Sequence, residues 1–172
     1  MPRVFVSMGS NVDPETNVRR AVRMLEVELG VRALSTFYRT PALRRPADPP
    51  FVNGVIEVGD ALGPLELKAR LRQIERRLAR SRTADRFAPR TVDLDLLLYG
   101  DEARSSEELT LPHPDVLARA FVAVPLSELA PDLILPGSGR ALREVMSALA
   151  PYPMEALDEL TEQLRTEVAD GP

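Results

Sequence analysis

The chain contains no cysteine and no tryptophan, and it has a single histidine. Without cysteine there is no disulfide, no thiolate metal centre and no cysteine nucleophile. Aromatic residues make up 5% of the sequence and the formal net charge is −4. A nucleic-acid binder relies on a basic face or on stacking aromatics, so both figures count against one. No Gly-x-x-x-x-Gly-Lys run is present, which argues against a Walker-type phosphate loop. No apolar stretch approaches the length of a membrane span, and the N-terminus lacks the apolar core of a signal peptide. The expectation from these absences is a cytoplasmic protein that binds neither membrane nor nucleic acid; a monomer is expected by default, since the sequence does not give the oligomeric state. What is there is 172 residues, 44% hydrophobic and 28% charged. That is enough for one globular domain with a real core.

One stretch organises the rest: RSRTADRFAPRTVDLD, residues 80–95. It opens on arginines 80, 82, 86 and 90 and closes on Asp93 and Asp95. From Val92 to Tyr99 everything but those two acids is apolar or aromatic, as in a buried strand. Strand side chains alternate, so Asp93 and Asp95 share one face and Val92, Leu94 and Leu96 take the other. Their Cα atoms would lie roughly 6.5–7 Å apart, close enough for the carboxylates to converge on one cation or on a pair. Hard divalent ions favour carboxylate and phosphate oxygens, and guanidinium groups grip phosphate bidentately. Together they suggest a site for a Mg²⁺-bound polyphosphate. The alternative is a structural ion network between the acids and the arginines.

In chain order, residues 3–8 read as a strand ended by Gly9-Ser10-Asn11. Asp13-Pro14-Glu15 reads as a helix start, Val18, Val22, Leu25 and Leu29 as its apolar stripe, and Gly30 as its stop. Residues 31–39 form a second strand candidate, and a proline-rich loop spans Thr40 to Pro50 with Arg44, Arg45 and Asp48 in it. A third strand, Phe51 to Val58, is interrupted by Asn53, which either faces solvent or reads a ligand. Leu67, Leu71, Ile74 and Leu78 stripe a second helix, whose arginines 70, 76, 77 and 80 read mostly as a solvated face. This order of β-α-β, β-α-β predicts an α+β fold, ferredoxin-like, with two helices on an antiparallel sheet. C-terminal additions follow. They are a stiff turn holding His113, short helices near 121–129 and 140–149, an extended piece at 132–135, and a last helix near 154–164 with a frayed end. A domain over 1–150 and an extension over 151–172, packed then frayed, is the expected division.

Taken together, the motifs resemble the 6-hydroxymethyl-7,8-dihydropterin pyrophosphokinase family of folate biosynthesis. The matching pieces are Gly9-Ser10-Asn11, Phe37-Tyr38-Arg39-Thr40-Pro41, Phe51-Val52-Asn53, the pair Arg80 and Arg82, and the run from Arg86 to Asp95. Leu111-Pro112-His113 and Arg119-Ala120-Phe121 complete the set. The resemblance implies transfer of pyrophosphate from Mg²⁺-ATP to the pterin hydroxymethyl oxygen, releasing AMP. It implies that Asp93 and Asp95 hold two Mg²⁺ ions, and that Arg80, Arg82, Arg90 and Asp95 carry the catalysis. Glu75, Leu96, Thr110, His113 and Arg119 would join those arginines around ATP. Thr40, Pro41, Leu43, Phe51, Asn53 and Phe121 would form the pterin slot. The loops 44–50 and 81–89 would close over both ligands.

The chain departs from the family's usual pattern at Phe87-Ala88, where Trp-Gly is common, at Pro114, where an aromatic is common, and at Phe51, where Tyr is common. None of these removes a candidate metal ligand. Two other readings stay open: a non-catalytic ferredoxin-like ligand-binding module, and a Mg²⁺-dependent phosphohydrolase in which water replaces the pterin alcohol. His113 likewise reads either as a donor to phosphate or as a packed turn residue.

Overall fold

The structure is a computed structural model that describes residues 1–43, 47–59, 62–80 and 91–171. Chain order is β1 (Val4–Ser10), α1 (Pro14–Leu29), β2 (Val31–Leu34), β3 (Tyr38–Thr40), β4 (Phe51–Val58), α2 (Pro64–Arg80) and β5 (Asp93–Tyr99). A small hairpin, β6 (Arg104–Ser105) with β7 (Thr110–Leu111), leads into α3 (Asp115–Ala118), α4 (Ala120–Leu129), α5 (Leu142–Ala148), β8 (Glu155–Ala156) and α6 (Asp158–Ala169). The main sheet runs β5-β1-β4-β3-β8, with β2 also paired to β4, and every pairing is antiparallel. This is the ferredoxin-like order: both edges of β1 are occupied by strands that come much later in the chain.

The expected second strand is in fact two. Leu34 pairs with Ile56 and Tyr38 with Asn53, so four steps on one side face three on the other. The extra residue breaks the ladder, as a bulge does. Its backbone is satisfied by side chains from elsewhere: Thr36 N–H donates to Glu128 at 2.8 Å and Phe37 N–H to Thr161 Oγ1 at 2.9 Å. Phe37 is fully buried. Its ring occupies the space a side chain at Gly54 would need, because a Cβ there would meet the ring at 2.6 Å. Asp13 does stand before α1, but with φ of 40° and no side-chain cap. The extended piece at 132–135 reduces to a bridge between Ile134 and Ala141. The last helix starts and ends later than the 154–164 its sequence suggested.

Alternation along the strands creates two cores. Val4, Val6, Met8, Val52, Ile56, Leu94 and Leu96 face α1 and α2, where the stripes Val18, Val22, Leu25 and Leu67, Leu71, Ile74, Leu78 meet them. Phe5, Val55, Leu97 and Leu98 face the other way, onto Val122, Leu126, Leu142 and Val145 of α4 and α5. Leu97 and Leu98 both reach this side because the β1–β5 register shifts between Phe5 and Val6. The second core stops short of the strand ends that carry Gly9, Asn53 and Asp93. Among the described residues no helix is long and apolar enough to cross a membrane.

Candidate active site

Two rows of residues cross the sheet where the second face is left uncovered. Gly9 pairs with Asp93 on one side and Asn53 on the other, and Ser7 pairs with Asp95 and Val55. All of these side chains point away from the α1/α2 core, because their neighbours Met8, Leu94 and Val52 point into it. The middle strand contributes only glycine and serine, so a trough opens between the aspartates and Asn53. The approach is close: a Cβ on Gly9 would meet Asn53 Oδ1 at 2.7 Å. Asn53 is therefore not a solvent-facing residue. It is 9% exposed, and its Nδ2 donates to Thr40 Oγ1 at 2.7 Å. That bond turns Oδ1 toward the trough.

This trough is a cavity of about 250 Å³ lined by Thr40, Pro41, Leu43, Phe51, Asn53, Gly54 and Phe121, with Asp93, Asp95 and Asp115 at its acidic wall. All six residues expected to form a pterin slot line it. Asp115 was not anticipated. It stands at the start of α3, two residues beyond His113, and only the fold brings it over the sheet.

A second, larger cavity of about 490 Å³ lies on the other side of Asp95. Its walls are Lys68, Arg72, Glu75, Arg76 and Ala79 of α2, Leu94, Asp95 and Leu96 of β5, and Leu109 and His113. The α2 members recur every three or four residues and make one stripe down the helix. The basic face assumed to be solvated thus divides in two. Arg70 and Arg77 pair with Glu28 of α1, the former at 3.6 Å. Arg76 turns instead to the cavity with Lys68 and Arg72, a basic row that spacing alone could have isolated. Lys68 also donates to the Glu108 carbonyl.

Glu75 accepts the Leu94 N–H at 2.7 Å, which ties α2 to the backbone between the two aspartates. His113 follows the Leu111-Pro112 cis peptide. Its Nδ1 accepts the Asp115 N–H at 3.1 Å, so in the neutral ring the hydrogen sits on Nε2. Nε2 lies 3.9 Å from Asp95 Oδ1, at the edge of the larger cavity. Of the other expected ATP contacts, Thr110 and Arg119 do not line either cavity. Arg119 Nε lies 3.9 Å from Asp115 Oδ1, at the pterin-side wall. Arg80 is the last residue of α2. Arg82, Arg90 and the loop 81–89 lie outside the described residues, as do Arg44 and Arg45 of the other loop.

The donor set suits a hard cation. Asp93 and Asp95 supply carboxylate oxygens from one strand face, beside a basic cavity that would admit phosphates. Among the described residues no cluster of three His, Cys, Asp or Glu forms a closed metal cage. Mg²⁺ is commonly held by one or two carboxylates plus substrate phosphates, which these two residues match.

A model of the 7,8-dihydro-6-hydroxymethylpterin-pyrophosphokinase (HPPK) family matches residues 5–131. Among curated proteins, the 2-amino-4-hydroxy-6-hydroxymethyldihydropteridine pyrophosphokinase of Pseudomonas aeruginosa is 40% identical, covering 92% of this chain and 96% of its own. The protein of the same name from Synechocystis is 36% identical over 97% and 88% of the two chains. Among solved structures, a Plasmodium falciparum HPPK-DHPS triple mutant with pteroate aligns over 98% of this chain with a TM-score of 0.66 at 12% identity. An HPPK-DHPS in complex with substrates aligns over 86% with a TM-score of 0.65 at 13% identity. This chain spans less than half of each of those longer chains, 46% and 44%. At that identity they establish a shared fold.

Proposed function

Because the chain belongs to the 7,8-dihydro-6-hydroxymethylpterin-pyrophosphokinase family, we propose that it transfers the pyrophosphoryl group of ATP to 6-hydroxymethyl-7,8-dihydropterin in folate synthesis. The observation that carries the reading at the level of residues is that Asp95 is a common wall of both cavities. The basic cavity fits a nucleoside triphosphate: Lys68, Arg72 and Arg76 face its phosphates and sugar, and Leu96 and Leu109 offer apolar surface for a base. The smaller cavity fits a flat heterocycle between Phe51, Leu43 and Phe121, with Asn53 and Thr40 as its hydrogen-bonding edge. The hydroxymethyl oxygen and the β-phosphorus then meet over Asp95.

In the reaction the pterin oxygen forms a bond to the β-phosphorus and gives up its hydroxyl proton to solvent, the bond from that phosphorus to the α,β-bridging oxygen breaks, and AMP leaves with the electron pair. Mg²⁺, two ions in this reading, would be held by Asp93 and Asp95 and would neutralise the charge of the transferring group. The chain's own groups position and stabilise. His113 Nε2–H donates to the phosphate chain, Glu75 fixes the backbone between the aspartates, and Arg80, Arg82 and Arg90 are assigned to the phosphates. The hydrolase alternative differs in its products. Incubation with Mg²⁺-ATP and the reduced pterin should release AMP in step with pyrophosphorylated pterin. ADP and phosphate, formed with or without the pterin, would replace this reading with hydrolysis.

A further inference from the structure

The segment after residue 150 lies beyond the stretch matched by the family model, residues 5–131, yet it reaches the wall of the smaller cavity. Tyr152 is where it does so. Its hydroxyl donates to the Pro41 carbonyl at 2.6 Å, and its ring meets Phe121 with centroids 5.7 Å apart and planes tilted by 54°. Pro41 and Phe121 are both lining residues of that cavity, one from the loop after β3 and the other from α4. Tyr152 therefore clasps two walls that no backbone ladder joins.

The clasp is itself anchored. Three residues on, β8 adds to the edge of β3, with Glu155 opposite Arg39 and Ala156 opposite Tyr38. Arg39 pairs with Glu155 at 3.0 Å, and Leu157 N–H donates to the Phe37 carbonyl at 2.8 Å. Leu160 and Leu164 of α6 then lock the segment into the core against α1. A half-buried aromatic bonded at its polar tip and in tilted contact with a second ring is held in one place.

We infer that Tyr152 is a positioning residue for the heterocycle slot: it sets the gap between Pro41 and Phe121 and so tunes affinity for the pterin and not for ATP. The inference rests on the assignment of the smaller cavity to the pterin. Pro41 is exposed and is followed by a loop, so without the hydroxyl its carbonyl has water as its partner and the slot's lip can move. A lost hydrogen bond of this kind corresponds to about a three- to tenfold change.

The test is steady-state kinetics of the full chain with Asn53→Ala, Tyr152→Phe and Tyr152→Ala, each compared with wild type for both substrates. Tyr152→Phe keeps the ring contact and should raise the pterin KM about three- to tenfold, with the ATP KM unchanged and the melting temperature close to wild type. Tyr152→Ala should raise the pterin KM further. Pterin KM unchanged in both Tyr152 variants, while Asn53→Ala raises it, overturns the clasp and leaves the slot assignment standing. KM values for ATP and pterin rising together also overturn it, since that is general loosening. An unchanged pterin KM in Asn53→Ala would overturn the slot assignment, and the clasp with it.

Discussion

Replacing Gly9 with alanine probes the trough most economically. Gly9 does not have a positive φ, so the backbone tolerates a side chain there. The added Cβ would meet Asn53 Oδ1 at 2.7 Å, about 0.7 Å inside the 3.4 Å at which ordinary contact begins. The next atom beyond the Asn53 side chain, Phe51 Cδ1, is already at an ordinary 3.9 Å. The strain thus falls on one amide, which the Thr40 hydroxyl holds at 2.7 Å and which cannot swing away without losing that bond. Overpacking of this size costs about 1–2 kcal/mol, and a protein of this length loses about 2–4 °C of Tm per kcal/mol. A displacement approaching 1 Å in a positioning group costs up to about 100-fold in rate. The expected result is a ten- to hundredfold fall, roughly, in kcat/KM for the pterin, with the ATP KM within about twofold of wild type. In a double-mutant cycle, Gly9→Ala added to Asn53→Ala should cost little more than Asn53→Ala alone, because the clashing group is gone. Additive losses, or an untouched pterin kcat/KM, would refute the argument that Gly9 is small in order to seat Asn53.

Three further expectations follow from other contacts. Glu75→Ala leaves the Leu94 N–H without its carboxylate and should destabilise the fold by about 1.5–3 kcal/mol, read as a lower melting temperature, while Glu75→Gln keeps an acceptor and loses less. Arg76→Ala should weaken ATP binding several-fold with the pterin KM unmoved, and calorimetric titration with the nucleotide alone checks it. Burial, and then the Glu128 carboxylate it bonds, push the Tyr38 hydroxyl up to about 12. The folded chain therefore keeps that proton where the unfolded chain, near 10, has lost it. The stability this contributes is complete below pH 10 and is lost as pH climbs from 10 to 12. Absorbance titration should show a tyrosine ionising near 12, and in Glu128→Gln its midpoint should fall only part of the way back, because the burial remains.

Much of this architecture was legible because periodicity and burial agree. The stripes of α1 and α2, and the alternation that puts Asp93 and Asp95 on one face, are local patterns that the core rewards directly. What local pattern could not carry was long-range. The break between β2 and β3 depends on Phe37 finding Gly54, and on Glu128 and Thr161 supplying acceptors from helices 90 and more residues away. Asn53 looked awkward in a strand because its partners, Thr40 and the gap at Gly9, come from two other strands. The basic face of α2 misled for a different reason. Arg70, Arg76 and Arg77 lie within about two turns of one helix but splay around it, two toward Glu28 and one into the cavity. Asp115 carried no motif at all, and Tyr152 lay in a segment whose composition suggested only packing.

The shared wall at Asp95 is tested most directly by Asp95→Asn. The side chain is 51% exposed, so the substitution should leave the melting temperature unchanged within about 1–2 °C. AMP formation from Mg²⁺-ATP and the reduced pterin, both saturating, should fall by about 100-fold or more. A rate within a few-fold of wild type would mean that the two substrates do not meet over this carboxylate.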